Sequence, residues 1–254
     1  MDLGLKNKVA VVTGASSGVG RATALALAAA GARVLGTYHS NPNGTKELLE
    51  QAERAGAEAL ATRLDLADPG SIQAAVDTAA GRWGAVHILV NNAVALPPFP
   101  AHGELFEHAP PQRFTDSLTS NLAGPYLLSR AVVGHMRAAG WGRIVHVSST
   151  FAEDGFPGRA PYAAAKSGLH GLTKVMSREL ARAGIYTNVV VPGFIPADGQ
   201  PQSLIQYASA AAATKRTTSA QDVANTIAFL CSAANSNITG QVVRVDGHFL
   251  TPAP

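Results

Sequence analysis

Short apolar runs alternate with longer amphipathic stretches along the whole 254-residue chain. VAVV opens at Val9, ARVLGTY at Ala32, HILVNNA at His87, RIVHVSS at Arg143, TNVVVPG at Thr187 and VVRVDG at Val242. Each is nearly continuous in β-branched and aliphatic residues, the signature of strands covered on both faces. AEALATRLD at Ala57 is a weaker seventh. Helical patterns fill the intervals. RATALALAAAG ends on a glycine suited to a helix C-terminus. GTKELLEQAERAG is a second helix. In DPGSIQAAVDTAAGRWG, Asp68 stands at the N-cap with Pro69 at the first helical position. Strand–helix alternation predicts an α/β fold: a Rossmann-type, doubly wound parallel sheet of seven strands with helices on both faces. Ligands then bind at the carboxyl ends of the strands. No repeat, low-complexity linker or composition break interrupts the pattern, so residues 1–254 are expected to form a single dinucleotide-binding and catalytic domain.

Composition adds exclusions. The chain is 46% hydrophobic and only 15% charged, ample for one buried core and poor in solvated tail. The formal charge of +3 is spread among scattered Lys and Arg, with no basic run of the kind nucleic-acid binders carry. Cys231 is the single cysteine, which excludes an intramolecular disulfide and fits a reducing compartment. In VANTIAFLCSAA it reads as a small buried hydrophobe rather than a nucleophile. The opening MDLGLKNKVAVVTG lacks a basic segment followed by an apolar core, and ATALALAAAGA is too short and interrupted to span a bilayer. A soluble, cytoplasmic protein without membrane or nucleic-acid partners is expected. His87, His102, His108, His135, His146 and His170 show no metal-ligand spacing, and no metal is assigned.

The first strand runs directly into TGASSGVG, Thr13 to Gly20, and then a helix. Glycines allow a tight turn and let the backbone approach a pyrophosphate, while the helix N-terminus offers N–H donors and a positive dipole end. About twenty residues on, where such a site reads the adenosine ribose, the chain offers Tyr38, His39 and Ser40. An acid there would bond the free hydroxyls of NAD. Its absence, with His39 and the hydroxyls at hand to bind a 2′-phosphate, favours NADP(H), although no arginine or lysine occupies the turn and Ser17 adds none from the glycine loop.

The ordered set TGASSGVG, LDL at Leu64, NNA at Asn91, SNLAGPY at Ser120, VSS at Val147, YAAAK at Tyr162, PGFI at Pro192 and ITGQVVRVDG near the C-terminus resembles the short-chain dehydrogenase/reductase family over almost the whole chain. It looks most like the 3-oxoacyl-acyl-carrier-protein reductases and related ketoreductases of secondary metabolism. The resemblance implies a cofactor site of Gly14, Ser16, Ser17, Gly18, Val19 and Gly20, with Asp65 and Leu66 flanking the adenine. Asn92, Ala93 and Val94 would line the cleft, Asn91 would support the strand end, and Pro192, Gly193 and Ile195 would pass under the nicotinamide. It implies a catalytic set of Asn121, Ser149, Tyr162 and Lys166, in which Asn121, on the long central helix, helps to hold the lysine through water. A homodimer or homotetramer built through the helices bearing Asn121 and Tyr162 is implied too.

The chemistry asks for the same residue types. Tyr162 can give its phenolic proton to a carbonyl oxygen as hydride arrives from the nicotinamide, but a free tyrosine, with a pKa of about 10, is poorly matched to neutral pH. Lys166 lies one helical turn on, on the same face, and its charge is expected to lower the tyrosine pKa; it can also hold the nicotinamide ribose. Ser149 can donate a hydrogen bond to the developing oxyanion. Phe151, Phe156 and Phe194, with the alanine-rich flap ADGQPQSLIQYASAAAA, sketch an apolar substrate mouth suited to an acyl or polycyclic ketone, either free or carrier-bound. Glu153 and Asp154 read as solvated loop acids.

Four places depart from the family pattern. Val94 replaces a glycine and would narrow the cleft, Ala197 replaces a threonine that bonds the carboxamide, and His248 replaces a second glycine near the C-terminus. The segment VALPPFPAHGELFEHAPPQ is long and proline-rich, part stiff connection and part substrate wall. The leading expectation is an NADPH-dependent ketoreductase. An NAD-dependent alcohol dehydrogenase working in the oxidative direction and a catalytically silent NADP-binding protein are the alternatives.

Overall fold

The structure, a computed structural model, describes residues 2–96 and 105–249. Seven parallel strands form one sheet in the order β3-β2-β1-β4-β5-β6-β7. They are β1 (Val9–Val12), β2 (Arg33–Tyr38), β3 (Ala59–Arg63), β4 (Ile88–Asn91), β5 (Gly142–Val147), β6 (Ile185–Pro192) and β7 (Val242–Val245). Every expected strand is present, and the weak AEALATRLD run is the edge strand β3, half-buried up to the exposed Arg63. The helices are α1 (Gly18–Ala29), α2 (Asn43–Arg54), α3 (Pro69–Trp83), α4 (Pro111–Leu118), α5 (Gly124–Ala138), α6 (Ala160–Leu180), α7 (Gln202–Ala211) and α8 (Ala220–Leu230).

The continuous apolar runs follow from burial on two faces. Side chains alternate along a strand. Val9 and Val11 of β1 therefore pack with Ile72, Val76, Leu128 and Met176 of α3, α5 and α6. Ala10 and Val12 pack with Ala24, Leu27, Leu48 and Ile227 of α1, α2 and α8. A polar residue on either face would be stranded, so neither can be spared. The start of α3 is set as the sequence indicates, the Asp68 carboxylate accepting from Gly70 N–H at 2.8 Å; Gly84 closes the helix in the left-handed conformation at φ 79°.

At the amino end of the sheet, Arg143 is sealed among backbone carbonyls. It donates to Gly142 O at 2.8 Å, Asn235 O at 2.9 Å, Gly184 O at 3.1 Å and Ser232 O at 3.3 Å. Its guanidinium lies 4.5 Å from the Trp141 ring centre and 4.4 Å from that of Tyr186. That cluster fixes the amino end of the sheet. The opposite end, between β1 and β4, is where the strand order reverses and a crevice opens.

Candidate active site

Strand β1 delivers the chain into its glycine loop with Thr13 as a staple. Thr13 Oγ1 accepts from the backbone N–H of Asn92 and of Ala93, both at 2.9 Å, and Asn92 Nδ2 donates to Thr13 O at 2.9 Å. The ends of β1 and β4 are thereby locked together across the reversal point. Gly14 turns at φ 66°, a conformation that disfavours a side chain. At Gly20 a Cβ would collide with the Gly14 carbonyl oxygen and with Asn92 Nδ2. The loop and helix can close only because both positions are bare.

A cavity of about 660 Å³ lies over this turn. It is lined by Gly14, Ser16, Ser17, Gly18 and Val19 of the loop and by Tyr38, His39 and Ser40 at the end of β2. Asp65, Leu66, Asn92, Ala93 and Val94 line it from the ends of β3 and β4. His39 Nε2 stands 3.6 Å and Arg63 3.8 Å from the Asp65 carboxylate. A backbone hydrogen bond from Ala67 holds that carboxyl below its ordinary range, helped by His39 and Arg63. Arg63, the residue paired with Tyr38 across β2 and β3, puts a cation beside this compartment that the β2 turn itself lacks.

A second cavity of about 570 Å³ adjoins the first and shares Val19, Asn92, Val94 and Ile195 with it. Tyr162, Lys166, Ser149, Pro192 and Gly193 line it. Tyr162 and Lys166 project from one face of α6, a turn apart, and both are buried. Ser149 follows β5 and caps a short 3-10 turn, its Oγ accepting from Phe151 N–H at 3.2 Å. Burial pushes the Tyr162 phenol above its ordinary value, against a hydrogen bond with Ser149 and the nearby Arg159 guanidinium, which pull it down. The depression expected from Lys166 is therefore not what this arrangement produces. The lysine Nζ sits 5.8 Å from the Tyr162 ring centre and donates to Val147 O at 2.8 Å. Burial lowers the Lys166 pKa to about 8. Arg159, buried at the start of α6 three residues before Tyr162, is the cation that acts on the tyrosine, a local helical spacing that the sequence reading passed over.

Asn121 does not lie in a regular helix. It sits in a π-helical turn, Thr119–Ala123, between α4 and α5. Its amide clasps Ala95, donating to Ala95 O at 2.9 Å and accepting from Ala95 N–H at 3.0 Å. The wide turn sets a fully buried side chain against the strand-β4 loop. Asn91, at the end of β4, lies 3.1 Å from Nδ1 of the wholly buried His146, a pair hidden under the site.

Phe151, Phe156 and Phe194 all line the second cavity, with Phe151 and Phe156 stacked at 4.9 Å. Leu204, Tyr207 and Ala208 of α7 and the C-terminal Phe249 complete the wall. The spacing of the three α7 residues puts them on one helical face, a signal present in the flap's sequence; Phe249 had none. Glu153 and Asp154 are exposed in their loop, as expected, but they are ion-paired. Arg244 Nη1 reaches Glu153 Oε2 and Asp154 Oδ1, each at 3.0 Å. Ala197 is exposed and His248 takes the left-handed conformation at φ 56°, the backbone state in which a glycine is usual. Of the proline-rich segment, residues 97–104, with His102, lie outside the described residues. Cys231 is buried, and burial pushes its thiol up to about 12.

A family model described as enoyl-(acyl carrier protein) reductase matches residues 14–249. The chain belongs to the short-chain dehydrogenase/reductase family. Among its relatives, the 3-oxoacyl-(acyl-carrier-protein) reductase of Escherichia coli is 38% identical over 252 residues, spanning 96% of this chain and 98% of that protein. The enzyme of the same name from Staphylococcus epidermidis is 34% identical over 244 residues, 95% of this chain and 98% of the relative. A solved 7α-hydroxysteroid dehydrogenase, complexed with NADH and 7-oxo glycochenodeoxycholic acid, superposes with a TM-score of 0.91 at 29% identity, covering 100% of this chain and 98% of its own. This short-chain dehydrogenase/reductase is accordingly an oxidoreductase. Among its described residues no helix is long and apolar enough to cross a membrane.

Proposed function

We propose that the chain reduces a ketone to a secondary alcohol with NADPH. The observation that carries this reading is the meeting of Ser149, Tyr162 and Lys166 in an apolar cavity whose wall is shared with the glycine-loop cavity. The first cavity fits a dinucleotide: Gly18, where a Cβ would meet no protein atom, and the N-terminus of α1 line it, leaving a bare backbone for a pyrophosphate to approach. Residues 14 and 16–19 would hold the diphosphate, Asp65 and Leu66 the adenine, and Pro192, Gly193 and Ile195 the nicotinamide side. Bound there, the cofactor supplies hydride.

The chain's residues do the rest. Tyr162 Oη holds the proton that the carbonyl oxygen takes up. Ser149 Oγ donates to the same oxygen as charge grows on it. Lys166 keeps its charge at neutral pH, and Nζ can leave the Val147 carbonyl to hold the ribose hydroxyls. Asn121 keeps the β4 loop in place beside the cleft. The phosphate of NADP finds His39 and Ser40 with no carboxylate in the turn at 38–40. A second reading, NAD-linked alcohol oxidation, is favoured by the Asp65 carboxylate lining the same compartment and by the NADH named with the steroid dehydrogenase.

The apolar wall suits a 3-oxoacyl group, free or carrier-bound, or a fused-ring ketone, the two shapes named by the relatives. A dimer or tetramer in the cytoplasm is proposed as the working form; Tyr126 on α5 and Val175 on α6, both about half exposed, supply apolar surface for it. The test is oxidation of NADPH and of NADH with a 3-oxoacyl thioester, a decalone and an oxo bile acid. NADPH is expected to outperform NADH, and Tyr162→Phe to lower kcat by about a thousandfold. No turnover of any ketone overturns the ketoreductase reading in favour of the silent protein; better use of NADH overturns the cofactor assignment.

A further inference from the structure

Tyr162, Lys166 and His170 follow one another at intervals of four along α6 and share one face. The proposed reaction uses the first two. The third is set into the same site from behind. The His170 side chain is only 17% exposed, and its Nε2 lies 2.8 Å from Ser148 Oγ. Ser148 Oγ also reaches the Lys166 carbonyl at 3.3 Å, while Lys166 Nζ donates to Val147 O at 2.8 Å. Residues 147 and 148 of the strand end are thus tied to α6 at three points, and the next residue is Ser149.

On its other side, His170 Nδ1 stands 4.0 Å from Glu153 Oε1. Glu153 is held in turn by Arg244 at 3.0 Å, and Arg244 also bonds Asp154, Asp246 and the Phe249 carbonyl. The imidazole therefore sits between the serine turn and a clamp that carries the C-terminal wall of the cavity. Burial lowers its pKa; Glu153 raises it and Lys174 lowers it further. The Ser148 hydroxyl has one proton to give: a ring protonated on Nδ1, toward Glu153, takes it on Nε2, whereas a ring protonated on Nε2 donates to Oγ and leaves that proton for the Lys166 carbonyl.

We propose that His170 is a positioning residue that, by gripping Ser148, fixes the direction of the Ser149 hydroxyl and the Lys166 ammonium. It touches neither substrate nor cofactor. The role rests on the ketoreductase reading, but part of its test does not require turnover. Ser149 hydrogen bonds Tyr162 and favours its ionised form. Slackening the grip should then raise the Tyr162 ionisation midpoint, read by ultraviolet difference titration against Tyr162→Phe.

His170→Leu is expected to raise that midpoint by about half a pH unit or more and to lower kcat about tenfold with KM for NADPH within about twofold. His170→Gln, whose amide can donate to Ser148 or accept from it, restores both. Ser148→Ala reproduces the loss and carries the test if His170→Leu does not fold, and the double variant loses no more than either single one. An unmoved midpoint in folded His170→Leu or Ser148→Ala overturns the proposal, as does failure of His170→Gln to restore it. A moved midpoint in a protein that turns over no ketone overturns the ketoreductase reading and leaves the positioning role standing.

Discussion

Lys166 shows what a buried charge costs at the scale of one residue. Its ammonium is enclosed at 2% exposure with the Val147 carbonyl as partner, and its pKa falls to about 8. Between about pH 8 and the unfolded value near 10.5 the unfolded chain binds a proton that the folded chain does not, so this group's contribution to stability improves as pH rises through that window. Below pH 8 the full cost remains. Lys166→Met should therefore raise the melting temperature of the cofactor-free protein at pH 7, by a shift on the order of 1 kcal/mol, while abolishing turnover. Thermal unfolding with and without NADPH measures both sides of that exchange. The Tyr–Lys spacing was legible in the sequence because it is local. The net rise of the tyrosine pKa was not, because it comes from burial, which only packing sets; the opposing pull of Arg159, three residues before Tyr162, was as local as the lysine and was passed over.

At the scale of elements, caps and periodicity carried most of what could be read. The N-cap at Asp68 is a case where residue type alone placed the helix start, and its carboxylate accepts from Gly70 N–H as expected. Asp68→Ala should cost about 1 kcal/mol, measured by urea unfolding. The two-faced strands were equally plain, since each needs an apolar residue at every step. The π-helical turn at Thr119–Ala123 had no such mark: nothing in SNLAGPY distinguishes it from continuous helix, and it exists because Asn121 bonds Ala95, far away in sequence. The Arg244 clamp was hidden for the same reason, joining β7 to a loop some ninety residues earlier. The wall residues of α7 were half legible, through spacing but not through destination.

For the whole molecule, the polar groups beneath the site couple stability to acid. His146 is wholly buried, and desolvation, aided by Lys166, lowers its pKa to about 3. Between the ordinary value of 6.5 and about 3 the unfolded chain takes up a proton that the folded chain refuses. The stabilising contribution is therefore full above about pH 6.5 and declines as pH falls, by up to about 1.4 kcal/mol per unit. Denaturant unfolding between pH 7 and pH 5 should show this slope, and His146→Leu should flatten it. A slope unchanged in that variant would assign the acid sensitivity to other groups.

Val19, Asn92, Val94 and Ile195 belong to both cavities. A nicotinamide resting on that common boundary would become the floor on which a ketone lies, so the substrate chamber is unfinished until the dinucleotide arrives. In steady-state terms, binding should be ordered, with cofactor first on and last off. Oxidised cofactor should then inhibit competitively against NADPH, and the alcohol product should not. Equal competition by both would mean that the chamber holds ketone without its floor.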